Sequence, residues 1–428
     1  MEKELTGLQV YKFGGASVKD AAAILNLCRI VKEYGGVGPL LIVVSAMGKT
    51  TNALEEIYDL AYHGQDYTVQ LAALEAYHQR VSAELSSALP DTYHEPNPTK
   101  SDPDLVIGFK ELTHRLVNLS PNKSYDEGYD QIVGFGEQFS AYLVYSALTA
   151  SMPDEADMYL RGSGIVTDDT WREGRVDWEE TQKRVQEEIH SMVYCGARII
   201  VTEGFIGATA DHRTTTLGRE GSDYSAAIFA YCLRAEGVTI WKDVPGLLNA
   251  DPKLFADTVL YPEISYQETI EMAFYGASVI HPKTLKPLAE RGIPLRVRSF
   301  LDPAAPGTLI HDCQHAPLVP AFIRKGGQCL LSFESKDFAF ISEENLEVIF
   351  GALAQARLKI NLMQNSAISF SVCVDYVEMR VRRLLELLQG QFRVQYNADL
   401  TLFTIKHRTY ALVGISAGMR GLASNWRR

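Results

Sequence analysis

Lys12 precedes Phe13-Gly14-Gly15-Ala16-Ser17, setting a cation against two residues without side chains. Adjacent glycines let a bulky anion approach backbone amides, and an ammonium group beside them adds a full positive charge. Phosphate binding and a plain chain turn both use such a pair. A second polar cluster, Val44-Ser45-Ala46-Met47-Gly48-Lys49-Thr50-Thr51-Asn52, offers hydroxyls and amides to a small carboxylate or phosphate, or an N-cap from Thr50 or Thr51. Its Gly48-Lys49-Thr50 is not a P-loop, because the glycine required five positions earlier is Val43. The most polar segment runs Thr214-Thr215-Thr216-Leu217-Gly218-Arg219-Glu220-Gly221-Ser222-Asp223, after Gly204-Phe205-Ile206-Gly207. Three threonines, a flexible glycine loop, a Ser-Asp pair and an arginine suited to bidentate carboxylate recognition point to a binding cleft. Trp241-Lys242-Asp243-Val244-Pro245-Gly246 adds a further polar terminus suited to nucleotide or metal–phosphate contacts.

These residues need a scaffold that aims several strand ends at one place. Apolar runs at Leu8–Phe13, Leu40–Ser45, Asp157–Leu160, Arg198–Thr202, Val238–Trp241 and Ile293–Val297 read as strands, most followed by helical periodicity. That alternation predicts a doubly wound, mainly parallel α/β sheet, with a helix starting near Val18 after the glycine pair. Residues 55–119 show no strand pattern and read as a helical excursion, a lid or plain packing, broken at Leu89-Pro90 and Glu95-Pro96-Asn97-Pro98. The Pro/Gly/Ala-rich run Leu301–Gly307 marks a domain boundary, giving 1–305 and 306–428. Beyond it Cys329–Phe333, Lys359–Met363, Ala367–Val374, Phe392–Tyr396 and Leu400–Ile405 read as strands, and Glu344–Arg357 and Val381–Gln389 as helices. This is the βαββαβ rhythm of a small α+β module.

With 41 Lys+Arg against 53 Asp+Glu the net charge is −12, and 46% of residues are hydrophobic. The acidic balance and the lack of a basic run argue against nucleic acid as a partner. No apolar stretch approaches a bilayer span and the N-terminus lacks a signal layout, so a cytoplasmic protein without membrane association is expected. The six cysteines are scattered, with no close zinc-type pair, and read as small core hydrophobes; no metal ligands are expected.

Taken in order, Lys12–Val18, Val43–Asn52, Gly134–Glu137, Val201–Gly207, Thr214–Asp223, Trp241–Lys253 and Tyr275–Thr284 resemble the aspartate kinases of the amino-acid kinase superfamily. The tail resembles ACT regulatory modules through Lys359–Ser366, and a second module starting near Leu412-Val413-Gly414-Ile415 looks incomplete. The resemblance implies transfer of the ATP γ-phosphoryl group to the side-chain carboxylate of L-aspartate, with Mg²⁺ held mainly through the nucleotide phosphates. It implies Lys12 and Asp223 as catalytic residues, Asp223 orienting Lys12. Arg219 would pair with the substrate α-carboxylate and Glu137 with its α-ammonium, while Thr51, Phe205 and Ser222 shape the pocket. Gly14, Gly15, Ser17, Lys242, Asp243 and Lys253 would contact ATP. Asn361, Gln364, Asn365 and Ser366, with the Ser335-Lys336-Asp337-Phe338 loop, would hold a lysine or threonine effector across a homodimer interface, or form a polar sheet edge.

The sequence also departs from the family. Ser278 stands where many members carry a lysine, leaving Lys242 or Lys283 to supply the missing phosphate cation, with Lys242 favoured by its place beside Asp243. Glu220 occupies a position where a second glycine is common. His281-Pro282 reads as a fixed turn and is left out of the catalytic set. Kinases for N-acetylglutamate, glutamate or a nucleoside monophosphate, and a catalytically silent amino-acid sensor, are the competing readings. From the length, a fused homoserine dehydrogenase is not expected.

Overall fold

The computed structural model describes residues 5–89, 102–119, 124–162, 164–277, 279–314, 318–336 and 340–407. The chain divides into two compact units, 1–247 with 260–269 and 279–315, and 248–259 with 270–278 and 316–428.

The first unit begins with β1 (Gln9–Phe13), α1 (Ala21–Tyr34), β2 (Leu40–Val44), α2 (Thr50–Tyr62), α3 (Thr68–Ala88) and α4 (Pro103–Val117). It continues through α5 (Tyr125–Val133), α6 (Phe135–Ser151), β3 (Asp157–Leu160), α7 (Trp178–Tyr194), β4 (Ile199–Glu203), β5 (Ile206–Ala208) and β6 (Thr214–Thr216). The chain then forms α8 (Gly221–Leu233), β7 (Gly237–Lys242), β8 (Glu263–Ser265), α9 (Tyr266–Tyr275), α10 (Pro282–Arg291), β9 (Leu295–Ser299) and β10 (Thr308–His311). Eight strands make one sheet in the order β3-β4-β2-β1-β7-β9-β10-β8. Every pairing is parallel except β9 with β10. The β2 sequence Leu-Leu-Ile-Val-Val is buried throughout because both faces of a central parallel strand are covered.

The expected mainly parallel α/β sheet is present, and residues 50–62, 68–88 and 103–117 are helical as read. Two expectations are corrected and one element is added. The chain does not enter a helix near Val18: a 3₁₀ turn spans Gly15–Val18, and α1 starts only after Asp20 caps it by accepting from the Ala23 N–H at 2.8 Å. Thr214–Thr216, to which the sequence assigned no element, forms one strand of an antiparallel hairpin with β5. Cys28, Cys232, Cys329 and Cys373 are buried, but Cys195 is exposed and Cys313 half-buried, so these two are not core residues. The broken run at 95–98 lies outside the described residues.

In the second unit β11 (Ala321–Ser335), α11 (Glu343–Gln355), β12 (Ile360–Asn365), β13 (Ser369–Asp375), α12 (Glu378–Leu388) and β14 (Phe392–Lys406) follow the expected rhythm. The antiparallel sheet runs β12-β13-β11-β14 over a core including Phe333, Ile349, Val372, Val374 and Leu384. This α+β arrangement fits the ACT-like pattern. The two short final strands read from the sequence are one strand: Asp399, at φ 57°, and register shifts facing Gln328 interrupt the pattern without ending the pairing. The second module expected from Leu412 and the Asp337-Phe338 pair lie outside the described residues. Among the described residues no helix is long and apolar enough to cross a membrane.

Candidate active site

Parallel pairing brings the carboxyl ends of four strands level: Phe13 of β1 is in register with Val44 of β2 and Trp241 of β7, and Val44 with Glu203 of β4. Lys12 is the penultimate residue of β1 and is 6% exposed. Its Nζ lies 2.6 Å from Oδ1 of Asp223, in the first turn of α8, and Lys242 Nζ from the end of β7 lies 2.9 Å from Oδ2 of the same carboxylate. Lys242 also donates to the Val279 carbonyl. Burial alone would raise the Asp223 pKa, but the two ammonium groups outweigh it and hold the carboxyl below its usual range. Two cations on one carboxylate leave an excess positive charge in a low-dielectric site, which favours an incoming anion.

The glycine pair is built into this cluster. A Cβ on Gly14 would sit 3.5 Å from Lys12 Nζ, and one on Gly15 would lie 2.7 Å from the Ala46 carbonyl oxygen. Backbone bonds from Ser45 N–H to Phe13 O at 3.1 Å and from Gly48 N–H to Gly15 O at 3.0 Å tie the two polar loops together. The Ser17 hydroxyl donates to the Trp241 carbonyl at 3.4 Å. Thr50 does not cap α2, which has no side-chain cap; its Oγ1 lies 3.5 Å from the buried His78 Nε2, and Thr51 is half-buried in the same first turn.

Glu137 enters from the first turn of α6, where Oε1 accepts from the Ala46 N–H at 3.1 Å and Oε2 is buried with no hydrogen-bond partner among the described residues. Burial pushes its pKa up to about 8, against the pull of the Ala46 amide and Lys12. The Ser222 hydroxyl donates to Ser45 Oγ at 3.0 Å, joining α8 to the β2–α2 loop. Phe205 holds a left-handed conformation at φ 66°, its N–H donating to Ser225 Oγ at 2.9 Å and its carbonyl accepting from Leu217 N–H at 2.8 Å. Arg219 is exposed, just before α8, with no ion pair among the described residues.

Glu220 is also left-handed at φ 54°, where glycine would be unstrained, and its carboxylate accepts from the His281 backbone. His281 caps α10, accepting from the Lys283 N–H at 3.1 Å ahead of Pro282, so it is a fixed turn as read. Lys283 Nζ donates to the Leu217 carbonyl at 3.2 Å, while Lys242 is the cation on Asp223. Ser278 lies outside the described residues.

The first unit thus gathers Lys12, Gly14, Gly15, Ser17, Ser222, Asp223 and Lys242 through linked contacts, with Glu137 joined through Ala46. Asp243 is exposed one residue past β7. Lys253 sits in an exposed turn of the second unit, its N–H donating to Asp251 at 2.9 Å. Of the effector residues, Gln364 and Asn365 are exposed on edge strand β12, and Ser366 closes the turn to Ser369 through hydroxyls 2.8 Å apart. Asn361 is engaged within its own unit, donating to Gln328 at 2.7 Å and Asp375 at 3.0 Å and accepting from Lys325 at 2.9 Å. Asp130 went unrecognised: buried in α5, it accepts from Arg172 N–H at 2.9 Å, Thr216 N–H at 3.0 Å and the Thr216 hydroxyl at 2.8 Å. Nothing in Tyr129-Asp130-Gln131 signals that role. The donor set does not suit a protein-held Mg²⁺ at Asp223, because both carboxylate oxygens face ammonium groups.

Residues 7–299 match the family model described as the amino acid kinase family. The chain is 30% identical over 412 residues to a chloroplastic bifunctional aspartokinase/homoserine dehydrogenase of Daucus carota, covering 91% of this chain but 42% of that protein. It therefore spans about two-fifths of that relative's length. A crystal structure of E. coli aspartokinase III in complex with aspartate and ADP, in the R-state, superposes with a TM-score of 0.79 at 28% identity, covering 93% of this chain and 87% of that one. The T-state complex of the same protein with lysine and aspartate gives 0.76 at 28%, covering 94% and 87%. With the family model covering seven of the eight sheet strands and the lysine-bearing glycine turn, the chain belongs to the amino acid kinase family.

Proposed function

We propose that this chain transfers the γ-phosphoryl group of ATP to the side-chain carboxylate of L-aspartate, giving 4-phospho-L-aspartate, the first step toward lysine, threonine and methionine. The observation that carries this reading is the pair of ammonium groups on Asp223, 2.6 and 2.9 Å away, beside a glycine turn. Two anions must meet in this reaction, so catalysis is mainly charge neutralisation and alignment. The acceptor carboxylate is already ionised at neutral pH and needs no general base.

Lys12 neutralises the transferring phosphoryl group, oriented by Asp223. Gly14, Gly15 and Ser17 offer close backbone and hydroxyl contacts to the phosphates, and Lys242 supplies the second cation in place of the lysine absent at Ser278, with Asp243 as a further nucleotide contact. Arg219 takes the α-carboxylate, Glu137 the α-ammonium, and Thr51, Phe205 and Ser222 shape the pocket. Mg²⁺ would be held mainly through the nucleotide phosphates and would supply part of the charge neutralisation. Residues 1–305 form the catalytic part and 306–428 the regulatory part of a cytoplasmic homodimer paired through its ACT-like region. Lysine or threonine would bind near Gln364 and Asn365; the lysine complex of the E. coli relative supports lysine.

The test is a coupled ADP-release assay with L-aspartate, with N-acetylglutamate and with no acceptor, each with and without lysine or threonine. ADP release dependent on L-aspartate supports the reading. Release only with N-acetylglutamate would assign another acceptor, and none with any acceptor would favour a catalytically silent amino-acid sensor.

A further inference from the structure

A second set of donor atoms meets at the β8 end of the sheet. β8 pairs in parallel with β10, Glu263 opposite Leu309 and Ser265 opposite His311. Ile264 and Ile310 are fully buried, so the alternate residues Glu263, Leu309 and His311 share the other face. Cys313 follows at the next alternate position of the sequence. A carboxylate oxygen of Glu263, a ring nitrogen of His311 and the sulfur of Cys313 lie within 4.8 Å of one another.

Hydrogen bonding leaves this cluster incompletely satisfied. His311 Nε2 is buried and 3.0 Å from Glu263 Oε1, yet it finds no hydrogen-bond partner among the described residues. An ordinary His–Glu pair would align the N–H with the oxygen, because a buried unmade hydrogen bond is costly. Imidazole, carboxylate and a cysteine sulfur that gives up its proton on binding form the donor set that Zn²⁺ accepts in tetrahedral sites, whereas Mg²⁺ and Ca²⁺ prefer oxygen alone. Donors about 2.0–2.3 Å from a central ion stand roughly 3.3–3.8 Å apart, so small side-chain rotations close the present spacing.

We propose that Glu263, His311 and Cys313 form a three-ligand site for Zn²⁺ or a similar borderline-soft divalent ion, with water completing the tetrahedron. The site lies outside the Lys12 cluster and is independent of the kinase reading. Its ion would pin β8, a terminal strand of three residues, to β10.

The test uses the full chain, stripped with chelator and titrated with Co²⁺. The expected result is one Co²⁺ per chain, with thiolate-to-cobalt charge-transfer absorption that Zn²⁺ abolishes on displacement. Cys313→Ser should lose that band, and His311→Ala and Glu263→Gln should each weaken binding about tenfold or more. Cys195→Ser, which removes an exposed thiol, should leave the band intact. A wild-type chain without a saturable band, or a band surviving in Cys313→Ser, overturns the site. Should Cys313→Ser fail to fold, alkylation of the wild-type thiol read by mass spectrometry decides: Zn²⁺ should protect Cys313, and equal labelling with and without Zn²⁺ refutes the proposal. ADP release from the stripped chain is read separately, so loss of either proposal leaves the other standing.

Discussion

Asp223 faces two ammonium groups, so its two lysine partners should not be equivalent when removed. Lys12 adjoins the glycine turn where the phosphoryl group would pass, and Lys12→Met should lower kcat about 10³-fold with little change in the aspartate KM, the signature of charge stabilisation made in the transition state. Lys242→Ala should raise the ATP KM and lower turnover about tenfold. Steady-state kinetics decide; unchanged values for Lys242→Ala would remove it from the nucleotide site. Glu137 offers a pH test. Its folded pKa of about 8 lies above the ordinary 4.5, so the folded state binds more protons between those values and stability should fall as pH rises through them. Glu137→Gln should flatten that slope in thermal unfolding. An arriving α-ammonium favours the ionised form, so aspartate affinity should rise with pH toward about 8, with proton release visible by calorimetry in buffers of different ionisation enthalpy.

Elements carry the next level of control. The β5–β6 hairpin leads to Arg219, and Asp130 holds its Thr216 end by accepting from the Thr216 N–H and hydroxyl, while a third bond, from the Arg172 N–H, ties in the preceding loop. Asp130→Ala should cost about 3 kcal/mol by stranding those donors, and should raise the aspartate KM more than it lowers kcat; denaturant unfolding and kinetics separate the two effects. Gly15→Ala should also damage the site, because the added methyl meets the Ala46 carbonyl at 2.7 Å and forces two loops apart. At this scale the central strands were legible, since buried parallel strands read as continuous apolar runs. β5, β6, β8 and β10 were not. Each has three or four residues, and Thr214–Thr216 is polar enough to resemble a loop.

For the molecule as a whole, the second unit makes a different prediction. Gln364 is exposed on an edge strand, whereas Asn361 is enmeshed with Lys325, Gln328 and Asp375. Gln364→Ala should relieve inhibition by the effector amino acid without moving the melting temperature, and Asn361→Ala should lower it by several degrees through lost hydrogen bonds. Inhibition curves with lysine and threonine, beside thermal melts, check both. By itself the sequence determined the alternation of strands and helices, the glycine turn after Lys12 and the polar character of the Thr214–Asp223 segment, because these are local matters of periodicity and side-chain chemistry. Only the tertiary structure decided that Lys12 and Lys242 share Asp223, that Asp130 holds the hairpin, and that Glu263, His311 and Cys313 meet. Lys12 and Asp223 stand 211 positions apart, Asp130 and Thr216 86, and Glu263 and His311 48; strand pairing and helix packing join them, and no local pattern encodes such distances.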